Sequence, residues 1–134
     1  MPDDSSSSEE DDYRFAPLDL ESPNAEHRRW AVMHISRNVM AEYGEKLLVM
    51  LESDPDIGVR RHVIRALAKL RHPGVVPILR RIFERERGLI LGDALRAMAE
   101  LRAPDLASLA GPFCDSENTW VAESARWALS RARD

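Results

Sequence analysis

Cysteine is nearly absent from this chain of 134 residues, and the single Cys114 has no second thiol with which to form an internal disulfide. With four scattered histidines it cannot assemble a cysteine-type zinc site either. Long apolar runs are missing: the longest, Leu47 to Leu51, falls far short of the roughly 18 residues that cross a bilayer. Alternation with a period of two never persists long enough for a convincing strand. Glycine is scarce, and Gly58, Gly74, Gly88 and Gly92 do not form a phosphate-cradling loop. The opening MPDDSSSSEEDD has neither the basic start nor the apolar core of a secretory signal, so a cytoplasmic location is expected.

What is present is helix-leaning: 44% apolar residues, 6% aromatics, and a length that suits one domain. The net charge of −4 conceals two pieces. Residues 1–12 hold six acids (Asp3, Asp4, Glu9, Glu10, Asp11, Asp12) and no base, while residues 13–134 hold 17 acids and 19 bases. Four serines flanked by carboxylates have nothing apolar to bury, so residues 1–12 are expected to be a disordered acidic tail on a mildly basic body.

The body repeats. Residues 59–70 (VRRHVIRALAKL) align with 90–101 (ILGDALRAMAEL) at a shift of 31, small and large apolar positions coinciding throughout. A further shift of 31 places Ala94, Ala97 and Met98 on Ala125, Ala128 and Leu129, and a shift of 32 backwards places Arg60, Val63 and Leu67 on Arg28, Ala31 and Ile35. The second halves repeat too: Leu70-Arg71-His72-Pro73 matches Leu101-Arg102-Ala103-Pro104, and Val75, Ile78, Leu79 and Ile82 match Leu106, Leu109, Ala110 and Phe113. Units of about 21–52, 53–84 and 85–115 and a terminal half-unit at 116–134 account for the body, with 13–20 as a linker or N-terminal cap.

Within a unit the apolar residues at 59, 63, 66, 67 and 70 line one face of a helix. Pro73 and Pro104 then break the chain, so each unit reads as helix, tight turn, helix. Pro77 suits the first position of a second helix, and Pro112 is expected to end or kink the last full unit's second helix early. Hairpins of this size cannot bury their apolar stripes alone, which predicts an all-α fold, an α-solenoid of about three and a half helical hairpins.

The segment Asp54-Pro55-Asp56-Ile57-Gly58-Val59-Arg60-Arg61-His62-Val63-Ile64-Arg65-Ala66-Leu67, followed by Pro73-Gly74-Val75-Val76-Pro77-Ile78-Leu79, closely resembles the short HEAT-like repeats named after phycobilisome lyases. The resemblance covers about residues 21–134 and implies an architecture used widely for protein contacts. It also implies that Asp54, Asp56 and Arg60 tie neighbouring units together, and that the second helices line a concave groove. The residue chemistry independently makes Asp56 a helix N-cap, a contribution of about 1 kcal/mol. HEAT-like hydroxylases with a di-iron centre carry His-Glu pairs, and none of His27, His34, His62 or His72 is followed by Glu. An accessory role in a lyase or assembly factor is implied only by the family name.

No catalytic constellation or cofactor motif emerges. His27 and His34 share a helix face without the intervening carboxylate of a metalloprotease site, so no metal is expected there, and Cys114 reads as a packed small apolar residue. Trp30, Trp120 and Trp127 lie in the terminal units, where capping of the core is expected. Arginine supplies 17 of the 19 bases and concentrates around the second unit. Arg80, Arg81 and Arg85 fall off the apolar stripe of its second helix, toward the expected groove, with Leu48 and Val49 as apolar equivalents in the first unit. The alternative for these arginines is a solvated face with local pairs such as Arg81 to Glu84. The expected activity is non-enzymatic binding of another protein, an acidic segment among the candidates, through that groove, with residues 1–12 as an internal competitor for Arg80, Arg81 and Arg85. Nucleic acid is the weaker partner class, because a body of net +2 without interleaved aromatics is far from a dedicated binder. Tyr13, Phe15, Leu18 and Leu20 are expected to fold back over Leu48 and Val49 as a cap.

Overall fold

The computed structural model describes residues 19–132, and these contain seven α-helices, two short 3-10 turns and no strand. Three hairpins pair α1 (Ala25–Arg37) with α2 (Gly44–Ser53), α3 (Ile57–Lys69) with α4 (Val75–Arg85), and α5 (Leu89–Glu100) with α6 (Leu106–Ala110). A 3-10 turn, Ala41–Tyr43, precedes α2, another, Gly111–Phe113, follows α6, and α7 (Thr119–Ala132) is the last element. The acidic tail and the capping residues Tyr13, Phe15 and Leu18 lie outside the described residues. Leu20 is buried against the core. None of the described helices is long and apolar enough to cross a membrane.

The first helices end in one recurring way. At the end of α3 the Arg71 N–H bonds Ala68 O and the His72 N–H bonds Leu67 O. Val39 and Met40 make the same two bonds to Ser36 and Ile35, and Arg102 and Ala103 make them to Ala99 and Met98. This is the Schellman motif, which satisfies the last free carbonyls of a helix and needs a left-handed residue just beyond it. Val39, Arg71 and Arg102 accept φ of 48°, 53° and 56° although none is glycine. At the other end Asn24 caps α1 by accepting the Glu26 N–H, and Asp56 caps α3 by accepting the Val59 N–H at 2.8 Å.

The second helices differ from one another. α4 begins at Val75, two residues before Pro77, which therefore sits inside the first turn, where its missing N–H is still harmless. α6 lasts five residues and passes into the 3-10 turn that contains Pro112. Phe113 in that turn packs against Phe83 of α4 with ring centroids 6.0 Å apart.

Burial follows the periodic stripe. Val59, Val63, Ile64, Ala66 and Leu67 on α3 are wholly inaccessible, as are Ala94, Leu95 and Met98 on α5. A fully buried Leu, Ile or Val contributes about 1.5 to 3 kcal/mol, so the stripe dominates the favourable side of folding. The first helices α1, α3, α5 and α7 pack side by side in one layer. Each second helix lies mainly on the first helix of the following unit: α2 on α3, α4 on α5, α6 on α7. The second helices themselves scarcely meet, since α2 only grazes α4. The first helices are thus the more closely packed of the two layers.

Candidate functional site

Polar bridges between successive units account for much of the arginine. The Arg28 guanidinium donates to both oxygens of Asp54, from Nε at 2.8 Å and Nη2 at 3.0 Å, and its Nη1 reaches Ser22 O at 2.8 Å. Asp54 is buried and also accepts the Asp56 N–H. One unit later Arg60 grips both oxygens of Glu86, at 2.7 and 2.6 Å, and donates from Nε to Leu51 O at 2.7 Å. These are the same bond at a shift of 32 residues. The hydrogen bonds from Arg60 hold the Glu86 carboxyl below its usual range, and the carboxylates opposite hold Arg28 and Arg60 above theirs. Asp54 and Arg60 thus bond across successive units, while the Asp56 side chain caps α3 within its own unit.

Arg80 and Arg81 are engaged as well. Arg80 on α4 pairs with both oxygens of Asp105, just before α6, and lowers that carboxyl's pKa through the hydrogen bond. Arg81 donates to Glu52 on α2 at 2.8 Å rather than to Glu84 on its own helix. The splayed second helices explain the choice: an acid across the gap meets the guanidinium where a side chain three positions along does not. Of the residues expected to line a basic groove, Arg85 is exposed and has no ion-pair partner among the described residues, and Val49 is 62% exposed. Leu48 is half-buried and packs beside Gly74 and against the core. The five therefore do not form one open basic site.

The structure instead concentrates unusual chemistry on the first-helix layer. Asp93 on α5 is buried, its side chain 1% exposed, yet it carries a carboxylate. It accepts from Arg61 Nε at 2.5 Å and from the Trp120 indole N–H at 3.2 Å, with Arg65 Nη2 at 3.8 Å. A buried charge of this kind is tolerated only when paired and hydrogen-bonded. Trp120 in turn lies under Arg96, whose guanidinium carbon is 4.4 Å from the ring centroid. Arg96 also sits 5.0 Å from the Trp127 ring and donates to Ser124 Oγ at 3.0 Å, and Arg131 covers Trp127 at 4.9 Å. Trp120 and Trp127 accordingly bind the last helix to the array, and Trp30 is half-buried on α1. His62, beside Arg65, Arg29 and Arg61, is held below its usual pKa first by burial and then by those charges.

Beside this cluster runs an open groove of about 550 Å³ between α3 and α5. Its floor is apolar, from Ile64, Ala68 and Ala97, and Trp120 stands at one end. Arg65, Lys69, Arg71 and Arg96 rim it, against the exposed Glu100 and the sealed Asp93. Sequence reasoning passed over this face because its rim residues sit on polar positions of two different helices, and only the packing of α3 on α5 joins them.

Among the described residues no three His, Cys, Asp or Glu side chains gather closely enough to hold a metal ion. His72 is placed structurally: its Nδ1 accepts the Gly74 N–H at 3.0 Å and its Nε2 faces Glu45 at 2.8 Å. Cys114 is half-buried after the second 3-10 turn, with Sγ 3.8 Å from Ala110 O. No curated protein and no solved structure matches the chain. The family model for HEAT repeats matches residues 18–91, more than half the sequence. With the helical hairpins stacked about every 31 residues and the arginine–carboxylate bridge repeated at the first two joints, the chain belongs to the HEAT-repeat family.

Proposed function

We propose that this chain is a non-enzymatic interaction module that binds another protein along the outer face of its first helices. HEAT repeats generally serve as protein-interaction scaffolds. The groove between α3 and α5 carries the reading: an apolar floor rimmed by Arg65, Lys69, Arg71 and Arg96, standing beside the ion pairs that hold the array together. An apolar centre with a polar, arginine-rich rim is the make-up of a surface that excludes water around a partner's anchor residues. Apart from Arg71, whose Nη1 reaches Glu100 O at 3.4 Å, and Arg96, the rim cations make no short polar bond to a neighbouring unit among the described residues.

A second reading keeps the partner on the second-helix face, where exposed Val49 and exposed Arg85 lie near the Arg81–Glu52 bridge. Affinity copurification from the native host separates the two, with nuclease-treated samples of full-length protein, Arg65→Glu/Lys69→Glu and Arg81→Glu/Arg85→Glu. A partner lost only with the first pair establishes the first-helix groove, and one lost only with the second pair moves the site to α4. Association abolished by nuclease identifies nucleic acid as the ligand and ends both readings.

A further inference from the structure

Resting on that reading of the groove, we propose that its occupant in the free protein is the chain's own acidic segment, residues 3–12, so that the module is self-inhibited until a partner displaces it. Three observations converge. The first is charge. Four cations rim the groove, Asp93 is sealed beneath it, and Glu100 is the one exposed carboxylate among the lining residues. α3 itself carries Arg60, Arg61, Arg65 and Lys69 without a single acid. Residues 1–12 bring six carboxylates and no base.

The second is the fate of the competing cations. On the second-helix face Arg80 and Arg81 are already bonded to Asp105 and Glu52, so an acidic segment landing there must first break two ion pairs. At the groove Lys69 and Arg65 are exposed, and Arg65 lies 3.8 Å from a carboxylate that Arg61 holds more closely.

The third is reach. The chain enters the array beside the N-terminus of α1, where Arg28 holds Ser22 O. α1 and α3 run parallel, because Arg28 meets the segment leading into α3 while Ser36, near the end of α1, borders the groove. From Ala25 to Ser36 is about 17 Å along a helix, and one neighbouring helix adds about 10 Å sideways. The seven residues from Asp12 to Asp19 span up to about 24 Å when extended, a length of the same order as that path, so the acidic residues come within range of the groove. Tethering at this length gives an effective concentration in the millimolar range, so weak individual contacts suffice.

Two measurements on full-length protein test this. A nitroxide on Ser6→Cys, in a Cys114→Ser background, is read by amide signal intensity against a diamagnetic label. At least a twofold intensity loss at residues 65–71 and 96–100, relieved by Arg65→Glu/Lys69→Glu or by 1 M salt, is the expected result. Loss centred on residues 80–85, or none at all, overturns it. In parallel a peptide of residues 1–14 is titrated into wild-type protein and into a form with all six tail acids changed to Asn or Gln. Binding about tenfold tighter to the neutralised form is expected, since the tethered competitor is gone. Equal binding to both refutes docking of the segment in cis while leaving the groove as a site for acidic partners. Binding to neither removes acidic peptides as its ligand, and partner capture still decides the module reading separately.

Discussion

Gly92 lies inside α5 directly beneath Trp120 of α7, and replacing it with alanine tests whether that indole is fixed. An added Cβ falls 2.4 Å from Trp120 Cδ1, 2.5 Å from its Nε1 and 3.2 Å from Ser124 Oγ. The indole has little room to give, because its N–H is bonded to buried Asp93 and its face is covered by Arg96. Overpacking a rigid contact costs about 1 to 3 kcal/mol, and alanine in a helix interior returns about 1 kcal/mol relative to glycine. Gly92→Ala is therefore expected to destabilise by about 1 kcal/mol, a fall in Tm of roughly 4 °C for a domain of this size. In a Trp120→Ala background the clash disappears and the helix propensity remains, so the same substitution becomes neutral or stabilising by up to about 1 kcal/mol. Urea unfolding followed by far-UV circular dichroism measures both arms of the cycle. An equal cost of Gly92→Ala with and without Trp120 refutes the argument that the indole sets the spacing of α5 and α7.

Val39 is β-branched, 52% exposed and held at φ 48°, so Val39→Gly should raise stability by about 1 kcal/mol in a thermal melt, and a loss would show that its contacts outweigh the strain. The Glu86 carboxyl is lowered in the folded chain, so its contribution is complete above the ordinary glutamate range near 4.3 and is lost as pH falls through the lower folded value. Glu86→Gln should flatten that acid limb of a stability–pH curve, and an unchanged limb would contradict the bridge to Arg60. His62 is lowered for a different reason, burial and neighbouring arginines, so stability is complete above about 6.5 and falls as the unfolded chain takes up the proton first. His62→Gln should remove the dependence that sets in below about pH 6.5, measured by denaturation at fixed ionic strength.

The periodicity of 31 and 32 residues exposed the helices, their buried faces and the turns, since each rests on local pattern. Pro112 and the shortness of α6 were legible for the same reason. What eluded the pattern depends on contacts between units. Arg81 has Glu84 three residues away and instead bonds Glu52, 29 residues back, because the splay of α2 and α4 sets which acid is in range. Asp93 occupies the position of His62 in the preceding unit, and nothing in its neighbours marks it as a buried carboxylate until Arg61 and Trp120 close over it. The left-handed residues Val39, Arg71 and Arg102 lack the glycine that would have announced them. The groove was missed because it belongs to two helices at once.

The joints of this array are not interchangeable. The first two are closed by Arg28 with Asp54 and by Arg60 with Glu86, but at the corresponding place in the third unit the arginine has become buried Leu91, and the joint is closed by Asp93, Gly92 and Trp120 instead. A duplicate of residues 57–87 inserted after Arg87 would carry its own Arg60 and Glu86 and place a histidine next to an arginine, as His62 already stands beside Arg29. The array can thus be lengthened in its middle, whereas exchanging its third unit for a copy of its second would leave Trp120 facing an arginine side chain where it now meets a bare glycine. The third unit carries a joint of its own kind, and the units before it are extensible links.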